Sequence, residues 1–298
     1  MVHAPFGTYP RQRLSFMSLI MLKRSLSLLL LAAITSIPSW SADTPKAVLP
    51  GEKLIALTFD DGPRPYVLYG MQDPQKFGRK EDKPIPGLLD LLDREKVHAT
   101  FFVMGWRLTP KTWGDRRYET NIGVNCTDAA REALRRGHEI ENHTYSHVEL
   151  KTAERKKGEA WVVDDIMRGA DMVKTVTGST PIYLRPPDWI LPDDARKDIE
   201  KKGIKVLTIS SENPMPLRDI NSLDYLCAGA HPTQCPKPSL AQSVLKQIDA
   251  REKHGVYTHV LAFHELVSTT AQLPELIDSL KARGYRFVTV TEYMKSLK

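Results

Sequence analysis

Cysteine is scarce in this 298-residue chain. Only Cys126, Cys227 and Cys235 occur, and no Cys-x-x-Cys spacing offers a cysteine-bound metal site. Aromatic residues make up 8% and are not interleaved with a basic stripe, which leaves nucleic-acid binding without support. No repeat, low-complexity tract or composition shift marks a second folded domain. The apolar run "LSLLLLAAITSI" at 26–37 is too short and too poorly flanked for a comfortable spanning helix.

That run follows Lys23-Arg24 and precedes "PSWSAD", with small residues at Ser39 and Ser41, the layout of a secretory signal peptide. The expected organisation is a signal peptide over 1–41, with Met21 the more typical start, a linker over 42–51 and one catalytic domain over 52–298. An uncleaved anchor is the alternative; if the signal is cleaved, no stable membrane partner is expected. Residues 1–41 hold Arg11, Arg13, Lys23 and Arg24 and no acid, so removing them takes the formal charge from +6 to +2. The three cysteines would then lie in a disulfide-permissive, periplasmic or extracellular compartment. Cys227 and Cys235 bracket a short loop and are expected to pair, with Cys126 left over.

The remainder is ordinary globular composition, 41% hydrophobic and 26% charged. Seven short β-branched or aromatic runs read as strands: 53–59, 98–104, 137–141, 181–185, 204–209, 259–263 and 285–290. Stretches of helical period lie between most of them, at 86–96, 128–136, 158–177, 192–202, 239–254 and 273–283, several ending at a glycine. This alternation implies an α/β fold with a parallel sheet, open or closed into a barrel. Segments 64–85 and 105–127 are long and irregular, the kind of loop that shapes a cleft.

The chemistry gathers just after the strands. "LTFDDGP" (57–63) sets Asp60 and Asp61 side by side at a strand end, where two carboxylates repel unless something compensates them. "NHTYSH" (142–147) spaces His143 and His147 four apart, which on a helical turn would place both imidazoles on one face. Arg185, the segment Ser210, Ser211 and Glu212, and His264 with Glu265 follow later strands. Two histidines and one aspartate suit Zn²⁺ or a similar divalent ion, the second aspartate is then free to act as a base, and His264 can protonate a leaving group.

Thr58 to Pro63 (TFDDGP), His143 to His147, Arg185 to Pro187 (RPP) and His264, with "HATFFVMG" (98–105) and "GHEIENHTYSH" (137–147), resemble the polysaccharide deacetylase family. That family is also called NodB-homology or carbohydrate esterase family 4. The resemblance runs from about residue 52 to the C-terminus. It implies a distorted (β/α)7 barrel that removes acetyl groups from an N-acetylated or O-acetylated glycan with a divalent metal ion. It implies Asp61, His143 and His147 as metal ligands, Asp60 as general base, His264 as general acid and Arg185 as the residue holding the base. The backbone around Pro187 and Asp188 would stabilise the oxyanion.

The chain departs from the family pattern in reading Asp188-Trp189 after the two prolines, "TISSENPMP" after the fifth strand and Ala262 in place of a leucine. The acid that orients the catalytic histidine is therefore expected to be missing or replaced by Glu212, while Trp189 is the expected sugar-stacking wall. These changes keep two other readings open: hydrolysis of another amide, such as a formyl group, and a barrel that binds glycan without turnover. The remaining histidines (His98, His138, His231, His254 and His259) read as structural or solvated, and Asp164-Asp165 as a solvated helix face.

Overall fold

Every residue of strand β1 (Leu54–Gly62) from Leu54 to Asp60 is buried, and the strand runs through the middle of the sheet. A strand covered on both faces reads as a near-continuous apolar run, which is why "LIALTF" was legible. The computed structural model describes residues 51–297, apart from Arg79, Glu81 and the segments 110–121, 208–218 and 229–233.

Among the described residues, eight strands form the main sheet. After β1 come β2 (Thr100–Val103), β3 (Glu139–Asn142), β4 (Tyr183–Leu184), β5 (Lys205–Val206), β6 (Asp219–Asn221), β7 (Thr258–His264) and β8 (Arg286–Val288). Their order is β5-β4-β3-β2-β1-β7-β6, and β8 pairs with the first half of β1. All of these pairings are parallel, so the strands' carboxyl ends share one face of the molecule. The fold is the α/β, distorted (β/α)7 barrel that the resemblance in the sequence implies. Strand β6 is the addition to the seven expected: it is three residues long and carries one apolar residue, Ile220, too little for an alternation to show. The stretch 285–290 ends as a strand at Val288, because Thr289 caps the next helix with a capping box to Glu292.

Among the described residues, the helices of seven residues or more are α1 (Leu88–Glu95), α2 (Cys126–Arg135), α3 (Leu150–Lys157), α4 (Glu159–Thr177), α5 (Asp193–Lys201), α6 (Leu240–Glu252), α7 (Leu273–Ala282) and α8 (Val290–Ser296). Helix α2 begins two residues before the expected stretch 128–136, capped by Asn125, whose side chain accepts the Asp128 N–H at 2.8 Å. Helix α4 ends at Gly178, whose left-handed φ of 78° needs no Cβ. Among the described residues no helix is long and apolar enough to cross a membrane. Cys227 and Cys235 are disulfide-bonded, and Cys126 is a buried free thiol.

The two faces of β1 feed different cores, as the two-residue period of a strand requires. Ile55, Leu57 and Phe59 pack outward with Phe101 and Phe263, the rings of the latter two centred 5.3 and 6.0 Å from that of Phe59. Leu54 and Ala56 face inward with Phe102, Val260, Tyr293 and Met294. Continuing that inner column brings the chain to Thr58 and then Asp60. The period that buries the core thus also delivers Asp60 to the barrel interior.

Candidate active site

Asp60 and His264 are direct neighbours in the β1–β7 register, each at its strand's carboxyl end. Asp60 is buried, and its Oδ1 accepts a hydrogen bond from Arg185 Nη1 at 2.7 Å. The same Nη1 donates to Thr58 Oγ1 at 2.7 Å, and that hydroxyl donates to the Leu261 carbonyl. Thr58 and Asp60 share the inner face, so one guanidinium reaches both. Arg185 is itself fully buried over the ring of Phe102. A buried charge of this kind is tolerated because it is paired.

Asp61 turns the other way. Its φ of 69° falls where the β1–β2 register shifts, between Phe59 and Gly62, and aims the carboxylate at two imidazoles, with Oδ1 3.0 Å from His147 Nε2 and 3.5 Å from His143 Nε2. Burial alone would raise its pKa, but His143 and His147 outweigh it and hold the carboxyl well below the usual carboxylate range. His143 Nδ1 lies 2.6 Å from the Arg185 carbonyl; a carbonyl can only accept, so Nδ1 carries the proton and Nε2 is left as a ligand atom. Asp61, His143 and His147 each offer one ligand atom, all within 4.8 Å of one another. Asp61 Oδ1 is buried with no hydrogen-bond partner. Two neutral nitrogens and one anionic oxygen converging on an orphaned acceptor fit a divalent cation.

The histidine pair does not sit on a helix. Residues 143–147 form an irregular turn after β3 in which Thr144 and His147 are left-handed, at φ 66° and 55°. The turn is pinned from two sides. Its Tyr145 and Ser146 N–H groups donate to the Asp165 carbonyl and carboxylate, and its Thr144 and Tyr145 carbonyls accept from Gly105 and Trp106 N–H. Asp165 is therefore no solvated residue: it is buried on α4 and holds the turn, whereas Asp164 is exposed. Gly169 completes the fit, since a Cβ there would lie 2.4 Å from Asn142 Oδ1.

His264 is oriented by an acid the sequence reading missed. Asp224 Oδ1 lies 2.7 Å from His264 Nδ1, and Oδ2 accepts from the His264 N–H at 2.8 Å and from Thr269 Oγ1 at 2.6 Å. Glu212, expected in that role, lies outside the described residues, as do Ser210 and Ser211. The acid comes three residues after β6, in "SLDYL", beyond the stretch that followed the fifth strand. Its signal was the Asp-aromatic pair Asp224-Tyr225. Burial works against a charge on His264, but the Asp224 hydrogen bond and the charges of Asp224, Asp60 and Asp61 push its pKa up to about 9.

Among the described residues, a cleft of about 270 Å³ opens over this constellation. Pro186, Asp188 and Trp189 from the turn after β4 line one part, and Asn221 and Tyr225 from the end of β6 another. Pro187 is buried and does not line it; its carbonyl accepts from the Ile190 N–H. Asp188 and Trp189 both adopt positive φ, at 54° and 55°. The Tyr225 ring meets His264 edge-on with centroids 5.6 Å apart and is 47% exposed, so it is open to a ligand. His138 is a core residue, as expected: it accepts the Ala99 N–H, and burial holds its pKa down to about 3.

Residues 48–207 match the family model described as polysaccharide deacetylase, a span of more than half the chain. The chain is 26% identical over 248 residues to a peptidoglycan-N-acetylglucosamine deacetylase of Bacillus cereus, covering 82% of this chain and 89% of that one. It is 28% identical over 251 residues to a peptidoglycan-N-acetylglucosamine deacetylase of Listeria monocytogenes, covering 84% of this chain but only 40% of that longer protein. The solved structure of the peptidoglycan deacetylase PdaC from Bacillus subtilis superposes with a TM-score of 0.54 at 22% identity, over 84% of this chain and 94% of that one. Fold and relatives together define a hydrolase of carbon–nitrogen bonds other than peptide bonds. The chain belongs to the polysaccharide deacetylase family.

Proposed function

We propose that the chain is an exported enzyme that removes acetyl groups from an N-acetylated amino-sugar glycan, using a divalent ion, zinc by preference, held by Asp61, His143 and His147. The observation that carries this reading is the pairing of Asp60 and His264 across adjacent strand ends beside the three ligand atoms. Base, acid and cation site then lie around one cleft. When bound, the cation polarises the acetyl carbonyl and acidifies water.

The chain's own residues carry the protons. Arg185 pairs with Asp60 and aims it, so Asp60 can accept a proton from the water that attacks the acetyl carbon. As the carbon–nitrogen bond breaks, His264, charged through Asp224, gives its proton to the departing amine. The products are acetate and a free amino sugar. Neither Pro186 nor Pro187 has an N–H, and the Trp189 N–H is engaged by the Pro186 carbonyl, so we assign the oxyanion donor to the Asp188 N–H. Trp189 and Tyr225 are the apolar walls against which a sugar ring would stack.

A barrel that binds without turnover was suggested by a missing orienting acid, and Asp224 removes that motive. Hydrolysis of another amide remains to be separated by substrate. Metal-loaded protein is expected to release acetate from N-acetylglucosamine oligomers or peptidoglycan fragments and no formate from N-formyl analogues. Formate release without acetate would reject the deacetylase reading. Export rests on the 1–41 pattern, which lies outside the described residues.

A further inference from the structure

Glu265 follows His264 directly and takes no part in the steps above, yet it is fully buried. Its N–H donates to the Asp60 carbonyl at 3.1 Å, and its Oε2 accepts the Arg64 N–H at 2.6 Å. One residue thus grips both ends of the stretch Asp60–Arg64. Inside that stretch Asp61 holds its left-handed φ of 69°, which is unfavourable for a non-glycine residue and persists only where the surroundings over-determine it. Arg64 passes the constraint on, since its Nη2 donates to Asp61 Oδ2 at 3.3 Å.

Gly62 is fitted to the same carboxyl. A Cβ at that position would lie 1.7 Å from Glu265 Oε1, so the absence of a side chain at 62 makes the room that Glu265 fills. Oε1 itself is buried without a hydrogen-bond partner. Burying a carboxyl with one oxygen unsatisfied costs free energy, and a residue serving packing alone would be better apolar.

We propose that Glu265 is a positioning residue for the cation site: by clamping Asp60–Arg64 it fixes the direction of the Asp61 carboxylate and thereby sets affinity for the divalent ion. This rests on the reading of Asp61, His143 and His147 as ligands. It concerns binding, so its readout does not need catalysis.

The test is a Co²⁺ titration of the metal-free full chain, followed by calorimetry and by the visible absorption of the bound ion. Glu265→Leu is expected to weaken Co²⁺ about tenfold or more and to alter the spectrum, as loss of a supporting partner does. Glu265→Gln should recover most of the affinity, because its amide oxygen can still accept the Arg64 N–H. Gly62→Ala, which displaces the carboxyl from the other side, should resemble Glu265→Leu and decides the matter if that variant does not fold. Leu280→Ala, in the buried face of α7, supplies a destabilised control whose Co²⁺ affinity should not move. Wild-type affinity in Glu265→Leu or Gly62→Ala would overturn the proposal, as would equal weakening in Leu280→Ala or no recovery in Glu265→Gln. Failure of the wild-type chain to bind Co²⁺ would instead overturn the ligand assignment beneath it.

Discussion

His264 is set up to carry a proton at neutral pH, because three carboxylates, Asp224, Asp60 and Asp61, outweigh its burial. Its charged form is favoured in the folded state, with a pKa of about 9 against an ordinary 6.5. The sign follows. This charge stabilises the fold fully below about pH 6.5, and the contribution, on the order of 3 kcal/mol, is lost as pH rises through 9. Replacing Asp224 by Asn removes the strongest of these supports. Asp224→Asn is expected to move the alkaline limb of the activity profile to lower pH and to cut turnover about 100-fold. Urea unfolding of the metal-free proteins should show a gap between wild type and Asp224→Asn that is widest near pH 6 and closes above pH 9. An unmoved alkaline limb would separate Asp224 from the proton on His264.

Residue by residue, the site was unevenly legible. Asp60, Asp61 and Arg185 could be read because each stands where a recognisable strand runs out into Gly-Pro or Pro-Pro. Asp224 could not. It follows a strand of three residues, and the Asp-aromatic pair with Tyr225 does not by itself distinguish its carboxylate from those of surface loops until the fold carries β6 beside β7.

At the scale of elements, the turn at 143–147 explains why spacing alone misleads. A separation of four suggests a helix, but here the imidazoles converge through two left-handed residues held by α4 and by the segment after β2. Helix α4 is therefore the support of the ligand turn, and its contact there passes through Gly169, against which a Cβ would clash with Asn142 Oδ1 and the Thr144 carbonyl carbon, at 2.4 and 2.6 Å. Gly169→Ala is expected to cost about 1–3 kcal/mol by overpacking and to lower divalent-ion affinity, measured by unfolding and by Co²⁺ titration. A stability loss with unchanged affinity would mean that the turn holds its shape without α4. The strands and longer helices were legible because their periods are set by burial: β1 on both faces, and α7 through Leu273, Leu276, Ile277 and Leu280. Helices α3 and α8 were not, since α3 is dominated by charge and α8 begins inside an apparent strand.

For the whole molecule, the parallel sheet is what turns scattered motifs into a site. Residues from β1, β3, β4 and β7 are far apart in the chain, and the crossovers between parallel strands bring their carboxyl ends to one face, where barrels of this architecture do their chemistry. On the function proposed above, Asp60 and Asp61, adjacent in sequence, divide the work: one takes a proton and the other holds the cation. Acetate release from N-acetylglucosamine oligomers by the metal-loaded chain, measured beside Asp60→Asn with Co²⁺ affinity determined for both, tests this most directly. The expected result is steady acetate release by the wild type and, in Asp60→Asn, a loss of about 100-fold or more with ion affinity retained. Acetate release by Asp60→Asn at the wild-type rate, or loss of the ion together with activity, would contradict it.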